Sequence, residues 1–152
     1  WTKVCVQPRG LRMFRNIGGV IAGLVVGSMA NMSLIILNTS VLFPMPPGVD
    51  MNNAEQFSAY LADLPALAFV VALLAHLSQA GIGGWVAARI GATRPVTLAL
   101  IVGCLTALGS AINMVNLGGP PWMWIDVPLC VALGWGVGTL EQRRRDGLSP
   151  AA

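Results

Sequence analysis

The sequence predicts an all-α fold: a polytopic membrane four-helix bundle with a short amphipathic helix in the first outer loop. Of the 152 residues, 55% are hydrophobic and 10% are charged, and the mean hydropathy is +0.71. Charged residues make up about a quarter of an ordinary soluble domain, so the composition excludes that class. Four long apolar segments each provide roughly the 20 residues that a helix needs to cross a bilayer. All the basic residues fall on one side of the four predicted spans.

The bounds of the predicted segments define three regions. We expect a cytoplasmic N-terminal tail over 1–14, a transmembrane domain over 15–141 and a basic cytoplasmic tail over 142–152. The predicted spans are about 15–43, 64–90, 95–116 and 122–140. Because the chain opens with Trp1 and Met13 is a plausible start, we expect residues 1–12 to be upstream translation, a fragment edge or a flexible tail.

The distribution of positive charge predicts the orientation. All nine Lys and Arg residues fall on one side of the four-span arrangement. They are Lys3, Arg9, Arg12 and Arg15 before the first span, Arg89 and Arg94 between the second and third, and Arg143, Arg144 and Arg145 after the fourth. The positive-inside rule makes this side cytoplasmic, with both termini inside. The net charge of +3 therefore indicates membrane topology and no nucleic-acid partner.

The first outer loop carries the signals of a short helix. Prolines and Gly48 end the first span, and Asn53 resembles a helix cap with Gln56 three residues later. Phe57, Tyr60 and Leu61 follow the spacing of an apolar helix face. We predict an amphipathic helix over 54–62, with a simple folded loop as the alternative.

Small residues recur at the four-residue spacing that lets membrane helices approach closely. They are Gly19, Gly23 and Gly27 in the first span, Gly84 and Ala88 in the second, Ala107 and Ala111 in the third, and Gly134 and Gly138 in the fourth. We expect these faces to pack within the chain, with a dimer contact as the alternative.

Polar side chains inside apolar helices are the candidate functional residues, because they are costly there and often functional. The candidates are Asn31, Asn38, His76, Asn113, Asn116 and Asp126. Counting about 1.5 Å per residue from the outer helix ends places Asn38, Asn113 and Asp126 roughly 5–10 Å deep, and Asn31 and His76 roughly 17–18 Å deep.

The count predicts that His76 and Asp126 do not touch, since their depths differ by about 10 Å. We expect Asp126 to pair with Asn113, Asn116 or water, and His76 with Asn31 or Gln79. Asp126 is then an ion or substrate site, or an interfacial aspartate, hydrogen-bonded or solvated, beside the N-terminus of the fourth helix. His76 is a proton relay or metal ligand, or a neutral histidine that bonds between helices.

No arrangement typical of an enzyme is present, and we expect no catalytic residue, no metal and no cofactor. Cys5, Cys104 and Cys130 lack the paired spacing of a metal or redox site. One histidine without a nearby cysteine or carboxylate cluster makes a poor metal site.

Several segments together resemble a group of small, uncharacterised bacterial four-pass membrane proteins. They are PPGVD at 46–50, ADLPA at 62–66, GIGGWVAARI at 81–90, and Asn113 with Pro121 and Trp122. The resemblance spans roughly residues 13–140 and implies a bacterial inner (cytoplasmic) membrane location and the four-helix architecture, with no assigned activity. Small multidrug transporters also have four helices, but they depend on a glutamate in the first helix, which has no acidic residue here.

Two functional hypotheses follow from the sequence. The first is a non-enzymatic accessory or scaffold subunit, because helix-packing faces are abundant and reactive groups are scarce. The second is a small oligomeric transporter or channel with a polar path lined by Asn31, His76, Asn113 and Asp126. The lipid bilayer is the expected surrounding, with a homo-oligomer or another membrane protein as possible partners.

Overall fold

The computed structural model describes residues 8–50 and 52–148, and over these residues the chain is helical and has no strand. Lys3, Cys5 and the last four residues of the predicted tail lie outside the described residues. The described part forms five helices. They are α1 (Arg9–Leu42), α2 (Ala54–Ala62), α3 (Ala66–Ile90), α4 (Pro95–Leu117) and α5 (Pro121–Gly147).

Four of the helices, α1, α3, α4 and α5, are long and apolar enough to cross a membrane. They pack as a bundle, so the predicted fold class is confirmed and multi-pass insertion fits the structure. The helix α1 begins at Arg9, before the predicted start at 15, and α5 continues to Gly147, beyond the predicted end at 140.

Three short stretches depart from α-helical geometry. The last turn of α1, Asn38–Leu42, and the middle of α3, Gln79–Gly83, are π-helical. The first turn of α5, Pro121–Ile125, is a 3-10 helix. Such turns change the rise and the facing of the residues that follow, and π-turns often occur at functional sites.

The predicted amphipathic helix is present as α2. The Asn53 side chain accepts hydrogen bonds from the backbone N–H groups of Glu55 and Gln56, each at 3.1 Å, as the cap signal indicated. The Tyr60 hydroxyl donates to the Phe43 carbonyl at 2.6 Å, and the Ser58 hydroxyl donates to the Leu117 carbonyl at 3.0 Å. These two bonds hold α2 across the ends of α1 and α4. We refer to this end of the bundle as the α2 end.

The glycine face of α1 packs against α3. A Cβ atom on Gly27 would lie 2.7 Å from the Gln79 carbonyl oxygen, and one on Gly19 would lie 3.1 Å from the Ala87 carbonyl oxygen. Gly23 is buried between them against Gly83 and Ala87. Only residues without a side chain allow the two backbones to come this close.

The remaining small residues bring α3, α4 and α5 together. A Cβ atom on Gly134 would lie 2.9 Å from the Ala99 carbonyl oxygen, and one on Gly138 would lie 2.7 Å from the Val96 Cα atom. On α3, Gly84 meets Val137 and Ala99, and Ala88 is fully buried. Ala107 is buried beside Ala80 and Cys130, while Ala111 is half-buried. Gly84, Gly134 and Gly138 thus pack against other helices of the same chain.

Arginine residues join the helices at the opposite end, which we call the arginine end. Arg15 Nε donates to the Ile90 carbonyl at 2.8 Å, and the Arg145 guanidinium donates to the Ala88 and Gly91 carbonyls, the latter at 2.9 Å. These bonds satisfy carbonyl groups that the last turn of α3 leaves without helical partners.

A buried carboxylate organises the other arginines at this end. Glu141 is 2% exposed and accepts hydrogen bonds from Arg144 at 2.6 and 2.7 Å, from Arg145 at 3.1 Å and from Arg89 at 3.4 Å. The sequence predicted a basic cytoplasmic tail at this end but not the role of Glu141.

Candidate functional site

The most polar site inside the bundle is built around Asp126, whose exposed fraction is 0%. Its Oδ2 atom accepts a hydrogen bond from the Ser110 hydroxyl at 2.5 Å and lies against Nδ1 of His76. Its Oδ1 atom accepts from the Cys130 thiol at 3.2 Å. We call these four residues the Asp126 cluster. It joins α3, α4 and α5 through a single carboxylate.

Local helix geometry explains how the sequence assembles the cluster. Asp126 and Cys130 are four residues apart on α5, a spacing that puts both side chains on one helix face. Asp126 is also the first residue of the α-helical part of α5, where the helix dipole stabilises a negative charge. His76 lies in α3 just before the π-helical turn.

The prediction that His76 and Asp126 do not touch was wrong. The count began α3 at 64, whereas the helix begins at Ala66, which makes His76 about 3 Å shallower at 1.5 Å per residue. The count also treated α5 as α-helical from its start. Its first turn is a 3-10 helix with a rise of about 2.0 Å per residue, so Asp126 lies deeper than counted. The difference in depth that remains between the two residues is short enough for the His76 and Asp126 side chains to span.

A cavity of about 260 Å³ lies beside the cluster, toward the α2 end. We call it the α2 cavity. Residues of α1, α3 and α4 form its walls, and Phe57, Tyr60 and Leu61 of α2 close one side. Its polar lining residues are Asn31, Asn38, Thr39, His76, Ser110 and Asn113. Asp126 lies behind His76 and Ser110, so those two side chains connect the cavity to the buried carboxylate. Burial raises the pKa of Tyr60, whose hydroxyl stays protonated as a donor.

Asn38 is the most deeply buried of the amide side chains that line the cavity, at 5% exposed. Its Nδ2 group donates to the Ala68 carbonyl at 3.1 Å, which fixes the orientation of the amide, since the reverse orientation would set two oxygens against each other. Among the described residues, its Oδ1 atom has no hydrogen-bond partner. Buried acceptors are rarely left in this state, so Asn38 Oδ1 calls for a donor.

The other predicted amide residues divide into two groups. Asn31, half-buried on α1, and Asn113, exposed on α4, both line the α2 cavity. Asn116 is exposed and does not line it, so its assignment to the polar interior was wrong. Asn116 lies one residue before the end of α4, on the exposed side of the helix. Ser110 is not among the candidate functional residues predicted from the sequence, although it bonds directly to Asp126.

The order of the hydrogen bonds limits the chemistry of the site. The Ser110 hydroxyl bonds to the carboxylate and not to the imidazole, whereas an activated serine needs contact with the base that takes its proton. Over the described ranges, no group of three or more His, Cys, Asp or Glu side chains is arranged to hold a metal ion. The cluster can accept, hold and pass a proton through His76, and the cavity beside it can hold a small molecule.

Fold and site together define a helical bundle with four helices long enough to span a membrane and a cavity whose wall is mostly apolar, with His76 and Ser110 at its base. The chain matches no protein-family model, no curated protein and no solved structure.

Proposed function

We propose that this protein is a non-enzymatic transporter of the bacterial inner membrane that binds a small molecule in the α2 cavity. The observation that carries the proposal is the position of the Asp126 cluster, which lies at the base of a cavity large enough for a ligand. Carboxylate and histidine side chains inside membrane spans are costly and mark substrate paths or proton relays.

The cavity has the asymmetry of a binding site accessible from one side. Toward the arginine end, Ala80, Ala107 and Cys130 pack beside the cluster and close the bundle. Toward the α2 end, the lining includes exposed residues such as Asn113 and Met32. Since α2 lies across the outer end of the cavity, these two residues mark an opening on the flank between α1 and α4, whereas the bundle is closed toward the arginine end. Access to the Asp126 cluster from one side only is what alternating access requires of each state.

The proposed orientation places the arginine end in the cytoplasm and the α2 cavity toward the outer surface. Its support is the positive-inside rule, since Arg15, Arg89 and Arg145 meet at one end of the bundle, whereas Glu55 and Asp63 belong to α2 and its C-terminal cap at the other.

The accessory-subunit hypothesis has less support. It depended on the small-residue faces, and Gly23, Gly27, Gly134 and Gly138 now contact helices of the same chain. These residues are occupied within the bundle, so they do not indicate a surface for another protein or a second copy.

The test compares what co-purifies with three forms of the protein in polymer-excised native nanodiscs. Ala72→Phe fills the α2 cavity, because Ala72 lines it, and Ala132→Phe adds the same bulk to an exposed position of α5. We expect one small molecule to accompany the wild type and Ala132→Phe, and to fall at least about tenfold in Ala72→Phe, the factor of about 1.4 kcal/mol of binding energy.

Identical extracts from all three forms would contradict the proposal. A stoichiometric second protein with no small molecule would instead support the accessory-subunit hypothesis. Once the compound is known, Asp126→Asn should abolish its flux in proteoliposomes while leaving the protein folded.

A further inference from the structure

We infer that the ligand of the α2 cavity is a lipophilic molecule with a neutral hydroxyl donor, which enters from the bilayer between α1 and α4 and donates its hydrogen bond to Asn38 Oδ1. The inference rests on the proposed function and adds the chemical class of the ligand, its route and the atom that recognises it.

The buried amide oxygen of Asn38 indicates the hydrogen-bonding group of the ligand. Asn38 Oδ1 is buried and has no partner among the described residues, while the Nδ2 group of the same amide is already bonded to Ala68. An acceptor left unsatisfied at such a site costs free energy that a ligand donor recovers on binding. The amide oxygen accepts a hydrogen bond from a neutral or a charged donor, so the charge of the ligand depends on the other groups around the cavity.

The charges around the α2 cavity do not favour a cation as its ligand. Over the part of the chain that the structure describes, Asp126 is the only carboxylate beside the cavity, and both of its oxygens already accept hydrogen bonds from Ser110, Cys130 or His76. Asp126 is also fully buried behind the cavity wall. An ammonium group in the cavity would find no available counter-charge, so a hydroxyl fits better than an amine.

The wall and the volume of the cavity indicate the nature of the rest of the ligand. Most of the cavity wall is apolar, with Ile35, Phe57, Leu64, Phe69 and Met114 among its members. A volume of about 260 Å³ holds roughly nine groups the size of a water molecule, at about 30 Å³ each. This is the size of a medium-chain alcohol or of the hydroxyl-bearing end of a longer lipid.

The exposed lining residues of the cavity indicate the route by which the ligand enters. Met32 on α1 and Asn113 on α4 both line the cavity and are both exposed, so the cavity reaches the surface between these two helices. The flank of a membrane bundle at that position faces lipid. The bonds from Tyr60 and Ser58 hold α2 across the ends of α1 and α4, so α2 covers the outer end of the cavity and the entrance lies on the flank between these two helices.

The experiment uses a photoreactive diazirine derivative of 1-octanol and its methyl ether, which differ in the hydroxyl donor. Each probe labels the protein in lipid nanodiscs, and mass spectrometry quantifies the label on peptides that line the α2 cavity. We expect the alcohol to label them about tenfold more than the ether, as for one hydrogen bond to a buried acceptor. Asn38→Leu should reduce this preference to about one.

Ser33→Ala is the matched control, because Ser33 is an exposed residue of α1 outside the cavity lining, and its hydroxyl donates within the helix to the Met29 carbonyl. It should keep the preference for the alcohol. Equal labelling by the two probes in the wild type, or a preference that survives Asn38→Leu, would overturn the inference. If Asn38→Leu does not fold, the comparison of the two probes on the wild type still decides.

Ala72→Phe separates this inference from the proposed function. If neither probe labels the cavity of the wild type, the proposed binding function fails together with the inference. If both probes label it equally and Ala72→Phe blocks both, the binding function stands and the hydroxyl inference alone fails, which would indicate that water satisfies Asn38.

Discussion

His76 and Asp126 are 50 residues apart in the chain, and their side chains meet inside the bundle. The contact joins α3 to α5, and Ser110 adds α4 by donating to the same carboxylate oxygen. Three of the four long helices therefore converge on one buried acid. The same residues form the base of the α2 cavity, so the stability of the bundle and the proposed function depend on the same hydrogen bonds.

Asp126→Ala should lower the free energy of unfolding by about 2–4 kcal/mol. The substitution leaves the buried donors of His76 and Ser110 without a partner, and such groups are costly in the interior. The measurement is a denaturant titration of the purified protein in mixed micelles, followed by circular dichroism. Asp63→Ala is the control, because Asp63 is exposed at the end of α2, and it should change stability by less than about 0.5 kcal/mol. Equal losses in the two variants would argue against the cluster.

Gly23→Leu should cost at least about 2 kcal/mol, since a larger side chain forces α1 and α3 apart. A Cβ atom at this position would lie 2.9 Å from that of Ala87 and closer still to a backbone carbonyl of α3. Gly18 is on the same helix, and a Cβ atom there would meet nothing within 4 Å. In the same titration, Gly18→Leu should be nearly neutral. A Gly23→Leu protein as stable as Gly18→Leu would contradict the described packing of α1 on α3.

Glu141→Ala should lower stability by about 1–3 kcal/mol, because the buried carboxylate accepts hydrogen bonds from three arginine side chains. The matched variant is Asp146→Ala, which removes an exposed carboxylate five residues later that accepts a hydrogen bond from half-buried Gln142. Hydrogen exchange of the last turn of α3 provides a second readout, since Arg145 holds its carbonyls. Unchanged exchange there in Glu141→Ala would show that Arg145 keeps its place without the acid.

Hydropathy and small-residue spacing were sufficient to predict the bundle. The length of an apolar run sets a membrane helix, and the four-residue spacing of Gly23 and Gly27 places both on one face, whichever helix they meet. The cap at Asn53 is equally local, so α2 could also be predicted. None of these inferences requires the relative depth of two helices.

The contacts that could not be predicted depend on the relative depth of two helices in the membrane. Contact between His76 and Asp126 requires the starting point of each helix to within a turn, and the 3-10 turn before Asp126 has no clear signal in the sequence. The ion pairs of Glu141 could be predicted in part, since Arg144 and Arg145 follow it at helical spacing. Its link to Arg89 comes from another helix and needs the structure.

The most direct test of the central claim uses the fact that His76 is the chain's only histidine. Isotope-labelled histidine gives one set of ring-nitrogen NMR signals, which report the hydrogen bond from Nδ1 to the Asp126 carboxylate. We predict that Asp126→Asn shifts these signals strongly, because the acceptor loses its charge, and that Asp63→Asn leaves them in place. Signals unchanged by Asp126→Asn would mean that the two side chains do not meet, and would contradict the proposed site.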